Sequence, residues 1–206
     1  MILIGQYDSP FVRRVGIALH LYGMAYEHRP WSTFGDADKI APFNPLRRVP
    51  TLVLDDGAVA IESGAILDCL DEMVGAGHAM MVGGGPLRRQ QLKVCALGSG
   101  LADKAVALVY ERVLHDTTSD MWTDRCRAQI GAVLDVLNAD CPAGYWFGDR
   151  IGHPDIMVAC ALRFLTEAHL GLFDPARRPA LAAHASRCEA LPSFQAVVQV
   201  FDPPRK

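Results

Sequence analysis

The sequence predicts a mixed α/β unit followed by an all-helical one, and three observations carry this reading. Short apolar runs of strand length, alternating with helical segments, are concentrated before Glu62. A stretch holding Gly75, Gly77, Gly83, Gly84 and Gly85 then interrupts the pattern. Beyond Pro86 strand signals largely vanish and long helical patterns take over.

The elements follow in order. Met1 to Gly5 is short and apolar and reads as a buried strand. From Pro10 the residues Phe11, Val12, Val15, Ile17, Ala18, Leu19 and Tyr22 suggest a buried helix. Ser9 suits its N-cap, Pro10 its first position and Gly23 its stop. Tyr26 to Pro30 forms a second strand, and Asp36 to Phe43 a short helix or irregular segment. Arg48 to Leu54 is a strand entered through Pro50. Asp55-Asp56-Gly57 turns it back into Ala58 to Ile61. Glu62-Ser63-Gly64 opens a helix over Ala65 to Val74, with Ser63 as its cap. The order β-α-β-α-β-β-α, with its late hairpin, is a mixed layer rather than a doubly wound sheet. Leu87 to His115 is a long helical stretch, bent at Gly98-Ser99-Gly100. Ser119 to Leu137 and Asp155 to His169 follow, the latter apolar along much of its length and so central. Ala180 to Ala190 and Ser193 to Phe201 are shorter, with Pro192 starting the last.

Composition narrows the function. Hydrophobic residues make up 50% and charged residues 21%, the balance of a folded soluble protein rather than a disordered chain. The net charge of -3 and the scattered arginine pairs give no nucleic-acid footprint. No apolar run approaches the roughly 20 residues of a membrane span, and Met1 to Gln6 lacks the character of a secretory signal, so a cytoplasmic location is expected. The six cysteines form no Cys-x-x-Cys pair and read as buried free thiols. The histidines show no metal-ligand spacing, so no metal is expected. The linker glycines fit neither a phosphate loop nor a dinucleotide fingerprint.

Three motifs, in order, carry a resemblance. They are Tyr7-Asp8-Ser9-Pro10-Phe11-Val12-Arg13-Arg14, then Phe43-Asn44-Pro45-Leu46-Arg47-Arg48-Val49-Pro50-Thr51-Leu52 with Glu62-Ser63-Gly64-Ala65-Ile66, then Gly144-Tyr145-Trp146-Phe147-Gly148-Asp149 leading to Asp155. Together they cover nearly the whole chain, and the sequence resembles the glutathione S-transferases, most of all the bacterial Ser-type members. The resemblance implies a thioredoxin-like glutathione-binding domain over residues 1–76, a linker over 77–86 and an all-helical domain over 87–206. It implies glutathione as co-substrate. One departure stands out: the family usually has Ser or Thr where this chain has Gly152, three residues before Asp155. Glycine still caps, though less well, and Asp155 reads as structural.

The resemblance also names the site. Ser9 is the catalytic candidate, its hydroxyl donating to a glutathione thiolate at a helix N-terminus. By pattern alone Ser9 is simply an N-cap, and Tyr7 is the rival hydroxyl. Val49-Pro50 is implied to be a cis bond whose preceding residue offers its backbone to the peptide-like ligand. Glu62 and Ser63 are implied to hold the ligand's amine and γ-glutamyl carboxylate. Arg47 or Arg48 reaches the glycine carboxylate, or is a solvated loop charge. The implied reaction is attack of the thiolate on an apolar electrophile, with Tyr110 and Trp122 as candidates for the acceptor wall. A non-catalytic binding or regulatory module is the alternative. Glutathione-dependent thiol reduction favours a cysteine where Ser9 stands. A homodimer is implied, and the small residues Ala96, Gly98, Ser99, Gly100 and Ala102 would let a partner's helix approach. Asp103 would then reach the partner's glutathione, or serve as a surface acid.

Overall fold

The computed structural model describes residues 1–203; the last three residues of the expected helical domain, 204–206, lie outside the described part. The chain begins with β1 (Ile2–Ile4), α1 (Pro10–Leu21) and β2 (Glu27–Arg29), a right-sized βαβ unit in which β1 and β2 pair in parallel. The short α2 (Ala37–Ile40) leads to β3 (Thr51–Val53) and β4 (Val59–Ile61), an antiparallel hairpin. Its turn is closed by Gly57 at φ +86°, where glycine alone is unstrained, and by Ala58 N–H donating to Asp56 Oδ1 at 2.9 Å. The sheet order is β2-β1-β3-β4, with β1 antiparallel to β3 and Ile4 opposite Thr51. Helix α3 (Ser63–Val74) packs beside α1. The period-2 and helical patterns converge on one core of Leu3, Val12, Val15, Leu19, Leu52, Ile66 and Leu70.

Among the described residues five helices follow: α4 (Gly85–Leu114), α5 (Asp120–Asp140), α6 (His153–Ala168), α7 (Pro179–Glu189) and α8 (Pro192–Gln195). Helix α6 is buried along nearly its whole length, so the expected central helix is central. Its start is held by the Asp155 carboxylate, which accepts from Gly152 N–H at 2.9 Å and Trp146 N–H at 3.0 Å. Gly152 has a reason to be glycine: a Cβ there would lie 3.1 Å from the Met80 carbonyl oxygen. A further apolar cluster, with Ile17 against Ile156, Ala159, Cys160, Phe194 and Val197, joins α1 to the helical part. Beside it the Arg13 guanidinium makes a two-pronged bond to Glu189, at 2.6 and 2.8 Å.

Several expectations need correction. The cap of α3 is Glu62, whose side chain accepts from Gly64 N–H, and Ser63 is the first helical residue. Helix α4 starts at Gly85 rather than Leu87. Gly98 is small for a reason inside the chain: a Cβ would meet Met157 Cγ at 2.9 Å, so it admits α6, and Ala102 is buried in the same core. The segment between α3 and α4 is pinned by hydrogen bonds to both helices. Asp71 accepts from Met80 and Met81 N–H, and Gln91 from Val82 N–H. The last helix stops at Gln195, not Phe201, because the tail's hydrogen bonds go to other elements. Gln199 Oε1 accepts from Tyr7 N–H and Glu167 accepts from Phe201 N–H. All six thiols are free, but only Cys126, Cys160 and Cys188 are buried. No helix among the described residues is long and apolar enough to cross a membrane.

Candidate functional site

Ser9 stands where β1 hands over to α1. Its extended backbone and the fixed φ of Pro10 at the first helical position start the helix there, and Ser9 Oγ accepts from Val12 N–H at 3.4 Å. That long bond uses a lone pair only, so the hydroxyl hydrogen remains available to an acceptor in front of it. Ser9 lines a cleft of about 460 Å³ whose walls come from both parts of the chain. Phe11, Trp31 and Phe34 supply one side; Val106, Tyr110, Phe164 and Phe201 supply the other. The wall is aromatic and apolar, with Asp8 and Asp202 near its Ser9 end. Burial pushes the Asp8 carboxyl up, while backbone N–H groups, that of Asp202 at 3.3 Å among them, pull it back.

A smaller cleft of about 60 Å³ lies beside it, lined by Asn44, Leu46, Pro50, Ile61, Glu62 and Ser63. The two share Phe11, Arg48 and Val49, so they are neighbouring compartments of one depression. The Val49–Pro50 bond is cis. Asn44 holds the loop before it, donating from Nδ2 to the Arg48 carbonyl at 2.9 Å and to Thr51 Oγ1 at 3.1 Å. At the far wall Glu62 sits at φ +69° and ψ 119°, a conformation that costs a non-glycine residue roughly 1–3 kcal/mol. The twist places its carboxylate over the first turn of α3, where the helix leaves N–H groups free for an anion. Ser63 Oγ donates to Glu62 Oε1 at 3.2 Å and accepts from Arg14 Nη2 at 2.7 Å.

The structure thus brings Ser9, Val49, Pro50, Glu62, Ser63, Arg47 and Arg48 to one depression. Arg48 borders both compartments; Arg47 borders the larger one and pairs with Asp38 at 3.1 Å. Tyr7 is set apart. Its hydroxyl is hydrogen bonded to that of Tyr26 at 2.7 Å and its ring stacks on His28 at 3.8 Å. Burial, then Tyr26, drives the Tyr7 phenol far above its ordinary pKa. Asp103 lies in the wall of this chain's own cleft and pairs with Lys104 at 3.3 Å. Tyr110 lines the cleft as expected, whereas Trp122 stands outside its lining with Lys104 against its ring. Sequence reasoning missed Trp31, Phe34, Phe164 and Phe201. The aromatic pair just after β2 was a usable signal; Phe201 was hidden by the expected helical tail.

With this geometry in view, comparison with known proteins places the fold. Residues 3–77 match the family model described as glutathione S-transferase, N-terminal domain, and residues 120–187 match the C-terminal domain model. The chain is 31% identical over 167 residues to the Escherichia coli (strain K12) GST-like protein YibF, covering 80% of this chain and 82% of that protein. The protein belongs to the glutathione S-transferase superfamily. Among solved structures, a glutathione S-transferase from Methylobacterium radiotolerans in complex with glutathione sulfonate matches with a TM-score of 0.89 at 27% identity, over 100% of this chain and 97% of that one. A glutathione transferase family member from Pseudomonas fluorescens Pf-5 with bound glutathione matches with a TM-score of 0.85 at 31% identity, over 95% and 97%.

Proposed function

We propose that the protein is a glutathione transferase that activates the glutathione thiol at Ser9 for attack on an apolar electrophile. The observation that carries this is the juxtaposition of two compartments: a small polar one behind Val49 and Glu62, and a large aromatic one in front of Ser9. Of the two solved relatives named above, one holds glutathione sulfonate and the other glutathione, which supports glutathione as the ligand here. In this reading Val49 pairs with the cysteinyl backbone and Glu62 takes the ligand's amine. The α3 N-terminus and Ser63 take the γ-glutamyl carboxylate, and Arg48, bordering both compartments, takes the glycine carboxylate. A free thiol has a pKa of about 8.5. The Ser9 O–H and the α1 N-terminus favour the thiolate, whose proton passes to solvent. The sulfur then forms a bond to the electrophilic carbon, and a leaving group departs with its electron pair. Ser9 rather than Tyr7 is assigned this task because Ser9 faces the cleft and Tyr7 is tied to Tyr26.

Further parts of the reading rest on the resemblance. The domain division is 1–76, 77–86 and 87–206, the location cytoplasmic and the role detoxification. The assembly is a homodimer, supported by the exposed apolar side chains of Val59 on β4, Met73 on α3 and Leu92 on α4. The deciding experiment is calorimetric titration with glutathione followed by turnover of 1-chloro-2,4-dinitrobenzene. Binding with turnover is expected. Binding without turnover favours the non-catalytic module, and no binding removes the reading. Thiol reduction is disfavoured because no cysteine lines either compartment.

A further inference from the structure

The larger compartment carries a charge that the reading above does not use. Asp8 stands one residue before Ser9 in its lining and is half-buried. Its Oδ2 accepts from Asp202 N–H at 3.3 Å, and among the described residues no cation pairs with it. Three other charged groups of the lining are accounted for. Arg47 pairs with Asp38 at 3.1 Å and Asp103 with Lys104 at 3.3 Å. Arg48 borders the small compartment too, where the reading gives it the glycine carboxylate. Asp202 brings a second carboxylate to the Ser9 end. Burial pushes the Asp8 carboxyl up, and the Asp202 carboxylate adds to this against the pull of backbone N–H groups.

Aromatic rings line the same space. Phe34 and Tyr110 meet at 84° with their centroids 5.4 Å apart, and Phe164 and Phe201 at 88° and 5.4 Å. All four border the compartment. Two rings at right angles form a corner with a π-face on either side, and such faces attract cations. A neutral apolar guest fills these corners but leaves the Asp8 charge desolvated and unanswered. An anionic guest meets repulsion at the Ser9 end. A guest with an apolar body and a weakly hydrated organic cation satisfies the rings and the carboxylate together. We propose that Asp8 is a specificity-determining residue, selecting electrophiles whose apolar body bears an organic cation of the alkylammonium kind. The cation lies between the Asp8 carboxylate and the aromatic corners. This rests on the reading that Ser9 activates glutathione beside this compartment.

The test compares 3-(trimethylammoniomethyl)benzyl bromide with its uncharged carbon isostere, 3-neopentylbenzyl bromide. In both, the glutathione sulfur forms a bond to the benzylic carbon and bromide departs with the electron pair. Each kcat/KM is divided by the uncatalysed rate constant with glutathione, which removes the difference in intrinsic reactivity. Wild type should favour the cation about tenfold or more. Asp8→Asn, whose side-chain oxygen can still accept from Asp202 N–H, should bring the two compounds level. Should that variant not fold, Asp8→Thr is read in the same way. Wild type that treats both compounds alike, or favours the neutral one, overturns the proposal. A preference that survives loss of the Asp8 charge overturns it too. If neither bromide turns over, the Ser9 reading fails, and calorimetric titration of benzyltrimethylammonium in the presence of glutathione decides the question of charge. Binding about tenfold weaker in Asp8→Asn then supports the proposal. Equal affinity in the two proteins, or no binding to wild type, overturns it.

Discussion

At the scale of single residues, two side chains bear the weight of the proposed chemistry. Ser9 faces the cleft with its hydroxyl hydrogen uncommitted, so Ser9→Ala should lower turnover more than it lowers glutathione affinity. The ultraviolet thiolate band of the bound complex, titrated with pH, reads this directly: its midpoint should rise in Ser9→Ala and stay put in Tyr7→Phe. A shift in the second variant alone would transfer the role to Tyr7. Glu62 combines a carboxylate with a backbone that only glycine adopts freely. Glu62→Ala and Glu62→Gly should both weaken glutathione binding by roughly 1.5–3 kcal/mol, through loss of a charge-assisted bond. They should part company in thermal melting. The glycine variant relieves the strain that the alanine variant keeps, and should melt higher. Equal melting points would remove strain from the account of this residue.

At the scale of elements, the junction of α6 and α7 is a place where pH reaches the fold. His184 on α7 is fully buried, against Trp146, Cys188 and the Asp155 carbonyl. Burial lowers its pKa to about 4, and Arg187 adds to the effect. The unfolded chain therefore takes up a proton on falling below about pH 6.5 that the native protein refuses until about pH 4. Stability from this group is whole above that window and declines as pH falls through it, by up to about 3 kcal/mol. Asp155, whose carboxyl burial pushes up, works in the opposite sense. The clean measurement is the difference between wild type and His184→Gln in urea unfolding at pH 7 and pH 5. Wild type should lose more between the two. Equal slopes would show that His184 is not the sensor. Elements were also what the sequence disclosed best, because local chemistry settles them. Ser9 with Pro10 starts α1, Gly57 turns the hairpin, and the continuous apolar face of α6 marks it as central. What stayed hidden depends on partners far along the chain. The extended tail is held by Tyr7 and Glu167, and Gly98 is small because Met157 lies over it. The polar half of the site could be found by its motifs. The aromatic half, drawn from the segment after β2, from α4 and α6 and from the tail, carries no contiguous pattern.

At the scale of the whole molecule, the exposed faces of β4, α3 and α4 lie on connected elements: Arg88 of α4 reaches Asp68 of α3 at 2.9 Å. If they meet a second copy, light scattering at micromolar concentration should give twice the chain mass of 22.4 kDa. Replacing both Met73 and Leu92 with Glu should then return the monomer mass, by burying like charges at the interface. A monomer in the wild type would dispose of the dimer. The tail has a consequence of a different kind, in time rather than in space. Tyr7 is tied to Gln199 across 192 residues of chain, and Asp202 to Asp8 across 194. Contacts that close the largest loops carry the largest entropy cost before they return anything, and tend to form late. The polar compartment is framed mainly by residues 44–63, so its loops are short. A chain refolding from urea should therefore acquire the capacity to hold glutathione before it completes the aromatic compartment, since Phe201 and Asp202, which line that compartment, arrive last.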